Sequence, residues 1–265
     1  MIHSLLFWAG LTLSSALLFP VALLIWAVTS PFDRRRVALH QFTCFWGSLY
    51  TWFNPAWPVR IVNRHKLADT PSVMVANHLS FLDILVIFRL FNHFKWVSKV
   101  ENFRAPFIGW NMTLNGYIPL RRGDRDSIVK MLASSERTLK EGSSIMMFPE
   151  GTRSSSGKLR PFKKGAFDLA MKTGSPIQPI VIRGTHRALP DRGFVLQGRH
   201  PIELVILDVI SAESYAGLSV EELTDQVWNA IASELGADEV ETPGSVELSR
   251  VPRPPAGIEI SHGHA

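Results

Sequence analysis

Hydrophobic and polar positions divide the chain into three regions of different character. Residues 4–32 contain no charged side chain, and 5–28 is interrupted only by Gly10, Thr12, Ser14, Ser15 and Pro20. As a helix that stretch measures roughly 36 Å, enough to cross a hydrocarbon core of about 30 Å. A signal peptide is the competing reading, disfavoured because no basic stretch precedes the run and no small-x-small pattern closes it. After Asp33, Arg34, Arg35 and Arg36, residues 37–58 mix Phe42, Phe45, Trp46, Trp52 and Trp57 with His40, Gln41 and Asn54. This pattern predicts an interfacial helix rather than a second span.

In the middle region, short apolar runs of strand length alternate with helical patterns. Strands are predicted at 59–63, 73–76, 96–99, 116–122, 144–148, 176–183 and 202–210. Helices are predicted from Ser80 to about 91–93, from Asp126 or Ser127 to Gly142, and over 162–172. Ser219 and Glu222 form a capping box that opens a last helix, with Val220, Leu223, Val227, Ile231 and Leu235 on one face. From Ala237 the chain turns acidic and rich in Pro and Gly, and disorder is expected to the end. The expected division is therefore 1–57 membrane-anchoring helices, 58–236 the main domain, and 237–265 a tail. His262 and His264 are read as part of that tail rather than as a metal site.

Composition narrows the chemistry. With 265 residues, 46% hydrophobic and 19% charged, the chain can bury one large core or a core with a small appendage. The single Cys44 excludes an intrachain disulfide and a thiolate zinc site. Charge is uneven: residues 71–210 carry 20 Lys/Arg against 11 Asp/Glu, whereas residues 211–265 carry two against ten. The middle should attract phosphate-bearing partners. Nucleic acid is a poor match, given the apolar N-terminus and the lack of any nucleic-acid motif.

Topology follows from the same charges. If both N-terminal segments crossed the bilayer, the arginine linker would lie opposite the main domain, and the positive-inside rule would put that domain outside the cytoplasm. A cytoplasmic domain requires a single crossing with an interfacial second helix, or two helices dipping into one leaflet. The second arrangement is favoured, because Pro20 should break a straight span.

Candidate chemistry centres on Asn77-His78-Leu79-Ser80-Phe81-Leu82-Asp83, where a strand-like run gives way to helical spacing. An imidazole there can take the carboxylate five residues on at one ring nitrogen, which fixes its tautomer and leaves the other nitrogen as a base. The alternative is a helix start, with Ser80 or Asn77 as cap and Asp83 favoured by the helix dipole. A second loop, after the strand at 144–148, offers Glu150, Gly151, Thr152 and Arg153. It is not a P-loop, because five residues separate Gly151 from Gly157 and Lys158 is followed by Leu159. It reads either as a phosphate-binding turn or as a surface turn with a Glu–Arg ion pair. Lys158, Arg160, Lys163 and Lys164 line the approach to the next helix, as a solvated face or as an attractor of anionic lipid or a nucleotide-bearing donor. Phe103, Phe107 and Trp110 read as core, with a lipid-dipping cluster as the alternative.

Asn77-His78-x4-Asp83, the Gly116 to Arg122 segment Gly-Tyr-Ile-Pro-Leu-Arg-Arg, the Phe148 to Ser154 segment Phe-Pro-Glu-Gly-Thr-Arg-Ser, and Pro176-Ile177-Gln178-Pro179-Ile180 occur in that order. Together they closely resemble the four blocks of the glycerolipid acyltransferases, nearest to the bacterial 1-acylglycerol-3-phosphate acyltransferases, over about residues 58–210. The resemblance implies a single α/β acyltransferase domain with a mixed central sheet flanked by helices, preceded by an N-terminal membrane-associated helical segment. It implies His78 and Asp83 as the catalytic dyad. It also implies that Arg122, Glu150, Gly151, Thr152 and Arg153 bind the acceptor's glycerol phosphate, with Lys99 reaching the same phosphate. Pro119 and Arg121 depart from the aromatic and acidic residues of many members, which leaves the acceptor open.

There is no Gly-x-Ser-x-Gly elbow and no plausible nucleophilic cysteine, so a covalent acyl-enzyme has no obvious seat. A base without its own nucleophile must activate a substrate hydroxyl. His78, oriented by Asp83, is expected to deprotonate the sn-2 hydroxyl of lysophosphatidic acid (1-acyl-sn-glycerol-3-phosphate) for attack on acyl-CoA or an acyl-acyl carrier protein. Backbone donors near the helix start are expected to hold the oxyanion. No bound cofactor or metal is expected, and the expected place of action is the cytoplasmic face of a bacterial inner membrane. Other acceptors (a lyso-aminolipid, another lysophospholipid, glycerol 3-phosphate) and a noncatalytic lipid-binding relative remain as alternatives.

Overall fold

The computed structural model describes residues 2–190 and 194–241. Seven strands form one sheet: β1 (Val59–Val62), β2 (Val73–Ala76), β3 (Phe94–Lys99), β4 (Ile118–Leu120), β5 (Ser144–Met147), β6 (Ile177–Arg183) and β7 (Ile202–Ile206). Their order is β1-β7-β6-β2-β5-β3-β4. All neighbours are parallel except β6 and β7, so the sheet is mixed, as expected. Helices α1 (Ile2–Thr29), α2 (Val37–Trp52), α3 (Leu82–Phe88), α4 (Ile108–Leu114), α5 (Arg125–Lys140), α6 (Gly165–Thr173), α7 (Thr185–Ala188) and α8 (Val220–Leu235) complete the fold.

β2 shows why its run is apolar without alternation. Met74 and Ala76 join the core on the α3 side, while Val73 and Val75 join the core under α6 and α8. A strand covered on both faces needs an apolar side chain at every position. Ile177 to Ile180 of the fourth sequence block fall on β6 and pair with β2, so the block serves as scaffold.

Several expected boundaries shift. α3 ends at Phe88, several residues early, because Phe91 takes a left-handed φ of 48° that no helix continues through. α5 is capped by Asp124, which accepts the Ser127 N–H at 3.1 Å, not by Asp126 or Ser127. α6 begins at Gly165 rather than at 162. The Ser219–Glu222 capping box forms as expected. Residues 237–241, expected to be disordered, instead form a short turn, and Val240 bridges Leu159. The rest of the expected disordered tail, including His262 and His264, lies outside the described residues.

α1 runs unbroken through Pro20, so the expected break does not occur. Ser4, Leu11, Ser15 and Ala22 face the protein, whereas Ile2, Leu6, Leu13, Leu17, Leu24 and Val28 form an exposed stripe on the opposite side. Both ends of the helix touch the main domain. Ser4 Oγ accepts the Leu196 N–H at 3.0 Å and Trp8 Nε1 donates to Phe194 O at 2.8 Å. Beyond the other end, Arg35 donates to Gly142 O at 2.8 Å, and Arg36 donates to Thr113 O and Leu114 O. The arginine linker thus closes on carbonyls in the last turn of α4 and just past the end of α5, where cations complement the helix dipoles.

Candidate active site

In a parallel sheet the strand C-termini share one edge, and the βα loops that leave it carry the site. Four adjacent strands, β2, β5, β3 and β4, deliver the predicted residues there: His78, then Glu150 to Arg153, then Lys99, then Arg122. With strands about 4.8 Å apart, these loops lie within roughly 15 Å of each other.

Asn77 continues β2 by proxy. Its side-chain amide donates to Ile182 O and accepts from Ile182 N, both at 2.8 Å, so it pairs with β6 and does not cap α3. The chain then turns, and Asp83 reaches back from the first turn of α3. Its Oδ2 lies 2.8 Å from His78 Nδ1 and accepts the N–H groups of Leu79 at 2.6 Å and Ser80 at 2.8 Å. One oxygen of Asp83 thus both ties down the start of α3 and orients the imidazole. Because Asp83 is fully buried, the pair is shielded from water. The His78 ring also lies flat on Phe148, with centroids 3.8 Å apart and planes 6° apart. With Nδ1 committed to Asp83, Nε2 is left for the cavity that His78 borders.

Two backbone links bind the first and third sequence blocks together. His78 N donates to Glu150 Oε1 at 2.7 Å, and Ser154 N donates to His78 O at 2.8 Å. Glu150 is only 4% exposed and does not line the cavity, so it sits behind His78 rather than in reach of a ligand. Burial pushes its carboxyl up to about 8, against the opposing pull of the His78 N–H. Gly151 takes φ +75°, which favours glycine, and a Cβ there would meet the end of Lys163 at 2.8 Å.

The cavity holds about 670 Å³. One end is basic, with Lys99, Arg122, Arg153 and Lys163, and the other is apolar, with Leu11, Trp46, Leu85, Phe88 and Met112 among its walls. Lys99 pairs with Glu101 at 3.7 Å. Burial, with Arg153 nearby, lowers the Arg122 guanidinium from its ordinary value while Glu101 opposes the shift. The structure thus brings together His78, Asp83, Lys99, Arg122, Gly151, Thr152 and Arg153, and sets Glu150 behind them. Lys163 was predicted only as part of a basic approach; its place across Gly151 depends on a turn that spacing does not reveal. Oxyanion donors were expected among the backbone N–H groups near the helix start; two of these, Leu79 N and Ser80 N, are engaged by Asp83. Among the described residues no group of His, Cys, Asp and Glu is arranged to hold a metal ion.

Of the aromatic cluster read as core, Phe103 does pack against the core, whereas Phe107 and Trp110 lie outside it. Trp110 is 46% exposed, and Phe107 and Trp110 pack on Phe19 of α1. For these two the lipid-facing alternative is the one the geometry supports, since they extend the exposed stripe of α1.

Comparison with known proteins places this arrangement. The family described as Acyltransferase matches residues 58–183, and the fold and site together define an acyltransferase-type α/β domain. The solved structure of the 1-acyl-sn-glycerophosphate acyltransferase PlsC from Thermotoga maritima shares that fold, with a TM-score of 0.70 and 23% identity over 88% of this chain and 95% of that one. A 1-acyl-sn-glycerol-3-phosphate acyltransferase of Chlamydomonas reinhardtii is 38% identical over 237 residues, covering 88% of this chain and 70% of that protein. A chloroplastic one of Brassica napus is 38% identical over 207 residues, covering 77% of this chain but only 58% of its own length. The chain belongs to the 1-acyl-sn-glycerol-3-phosphate acyltransferase family.

Proposed function

We propose that the protein transfers a fatty acyl group from an acyl thioester to the sn-2 hydroxyl of 1-acyl-sn-glycerol-3-phosphate, giving phosphatidic acid for phospholipid synthesis. The observation that carries this reading is the cavity itself, which has a histidine–aspartate pair between a cationic end and an apolar one. His78 Nε2 takes the proton as the hydroxyl attacks the thioester carbon. Asp83 stabilises the imidazolium that forms, and the proton returns to the departing thiolate. Oxyanion stabilisation falls to the turn at 151–153, where the Thr152 N–H makes no backbone bond among the described residues. Lys99, Arg122 and Arg153 hold the acceptor phosphate, and Glu150 acts on substrate through its support of His78. The donor is acyl-CoA or an acyl-acyl carrier protein; it is consumed as a substrate.

The apolar N-terminal helix supports membrane association. We place the protein on one leaflet, because both ends of α1 contact the main domain and its outward face is apolar along roughly 40 Å. On this reading residues 1–57 are the anchor and 58–236 the acyltransferase domain. The arginine linker lies on the domain's side of the bilayer, which fits the cytoplasmic face of a bacterial inner membrane. The test is acylation by purified full chain of a panel of acceptors with one labelled thioester: lysophosphatidate, a lyso-aminolipid, other lysophospholipids and glycerol 3-phosphate. Preference for lysophosphatidate is expected, and preference for any other member would overturn the acceptor assignment.

A further inference from the structure

The basic end of the cavity carries four cations. Lys99, Arg122, Arg153 and Lys163 line it, and no aspartate or glutamate does. Lys99 has Glu101 beside it, and Glu101 is also the opposite charge that acts on Arg122. Lys164, next in sequence to Lys163, is tied to Glu221. Lys163 has no acidic partner among the described residues, yet its position is well defined. Its N–H donates to Pro149 O at 2.9 Å, which fixes its backbone to the turn that follows β5. Its Cε and Nζ lie 2.8 Å from the point where a side chain on Gly151 would begin, so the stem crosses that glycine. Any larger residue at 151 would displace the ammonium and also strain a φ of +75°.

We infer that Lys163 reads the second negative charge of the acceptor's phosphate and thereby selects a phosphate monoester over a phosphodiester lysolipid. The inference rests on the proposed acyl transfer to a lysophospholipid and adds the means of headgroup selection. A phosphate monoester has a second ionisation near pH 6 and carries about two charges at pH 7, whereas a diester carries one. Lysine suits the task of counting charge, because its ammonium is a compact point charge on a flexible stem, without the fixed fork of arginine.

The matched pair of probes is lysophosphatidate and its phosphate methyl ester, offered to the purified full chain at saturating acyl-CoA, with acyl-CoA then varied at saturating lysophosphatidate to give the thioester KM. Each is measured as a substrate, or as a competitive inhibitor where turnover is absent. Wild type should prefer the monoester by at least about tenfold, the order expected of one exposed-to-partly-buried charge contact. Lys163→Gln should compress that preference by about tenfold while leaving the thioester KM unchanged, and Lys163→Arg should retain most of it. An unchanged preference in Lys163→Gln overturns the inference. So does a rise in thioester KM alone, which would assign Lys163 to a donor phosphate. A wild type that acylates some other lysolipid but not lysophosphatidate would overturn the proposed function as well.

Discussion

Asp83→Asn separates the electrostatic role of the dyad from its structural one. In the wild type one oxygen of Asp83 accepts from His78 Nδ1, Leu79 N and Ser80 N, at 2.6 to 2.8 Å. The amide oxygen of asparagine can occupy the same place and keep all three bonds, but without the negative charge. As His78 becomes an imidazolium, a unit charge about 4 Å away contributes about 4 kcal/mol at an effective dielectric of 20. Losing it should lower kcat by about a thousandfold. Stability should change far less, because the other carboxylate oxygen, Oδ1, is buried with no partner among the described residues, and removing a desolvated charge offsets weaker hydrogen bonds. Asp83→Ala should behave differently. It strands three donors at about 1–3 kcal/mol each, lowering the melting temperature by roughly 10 °C or more at 2–4 °C per kcal/mol. The assay is steady-state thioester consumption with lysophosphatidate, run beside thermal melts of both variants. An Asn variant that keeps a tenth of wild-type kcat would refute the claim that the carboxylate's charge supports the imidazolium.

Further variants test the remaining parts of the site. Arg153→Ala should raise the acceptor KM by about ten- to a hundredfold with little change in thioester KM; an unaltered acceptor dependence would remove it from the phosphate site. Glu150 has a folded-state pKa, about 8, above its ordinary value of 4.5, so the folded protein holds a proton that the unfolded chain releases. Its contribution is therefore complete below about pH 4.5 and lost as pH rises toward 8, by a few kcal/mol in total. Glu150→Gln keeps the acceptor for His78 N, so its chemical-denaturation stability should fall less than wild type's between pH 5 and 8; parallel pH profiles would contradict the buried neutral carboxyl. Leu13 and Leu17 stand on the outward stripe of α1, 65% and 66% exposed. Replacing both with glutamate should forfeit at least about 3 kcal/mol of transfer free energy and cut cosedimentation with vesicles by a hundredfold or more, whereas retained binding would move the anchor elsewhere.

What could be read from sequence here had short-range physical causes. The alternation of apolar runs located every strand, because β2, β5 and β6 are covered on both faces and leave no polar position to obscure the run. The Ser219–Glu222 box and the His78–Asp83 spacing are contacts between residues three and five apart, so they too were legible. Whatever depended on the meeting of distant segments was not. Asn77 reads as a cap until β6 is seen beside it, Glu150 reads as a ligand residue until its carboxylate is found under the His78 N–H, and the donors of Leu79 and Ser80 look available until Asp83 folds back. α1 posed a related difficulty. A helix of this composition reads the same whether it crosses a bilayer or lies along a domain, and the contacts of Ser4, Trp8, Arg35 and Arg36 with the main domain could not be read from it.

The central claim is that His78 acts as a base on the acceptor hydroxyl and makes no covalent acyl-enzyme. It is tested most directly by transfer of a labelled acyl group from thioester to lysophosphatidate by purified His78→Ala, compared with wild type at equal fold stability. Loss of a general base is worth about a hundred- to ten-thousandfold, and the account predicts a fall in kcat toward the upper end of that range with an intact melting transition. Phosphatidate formed by the alanine variant within tenfold of the wild-type rate would contradict it.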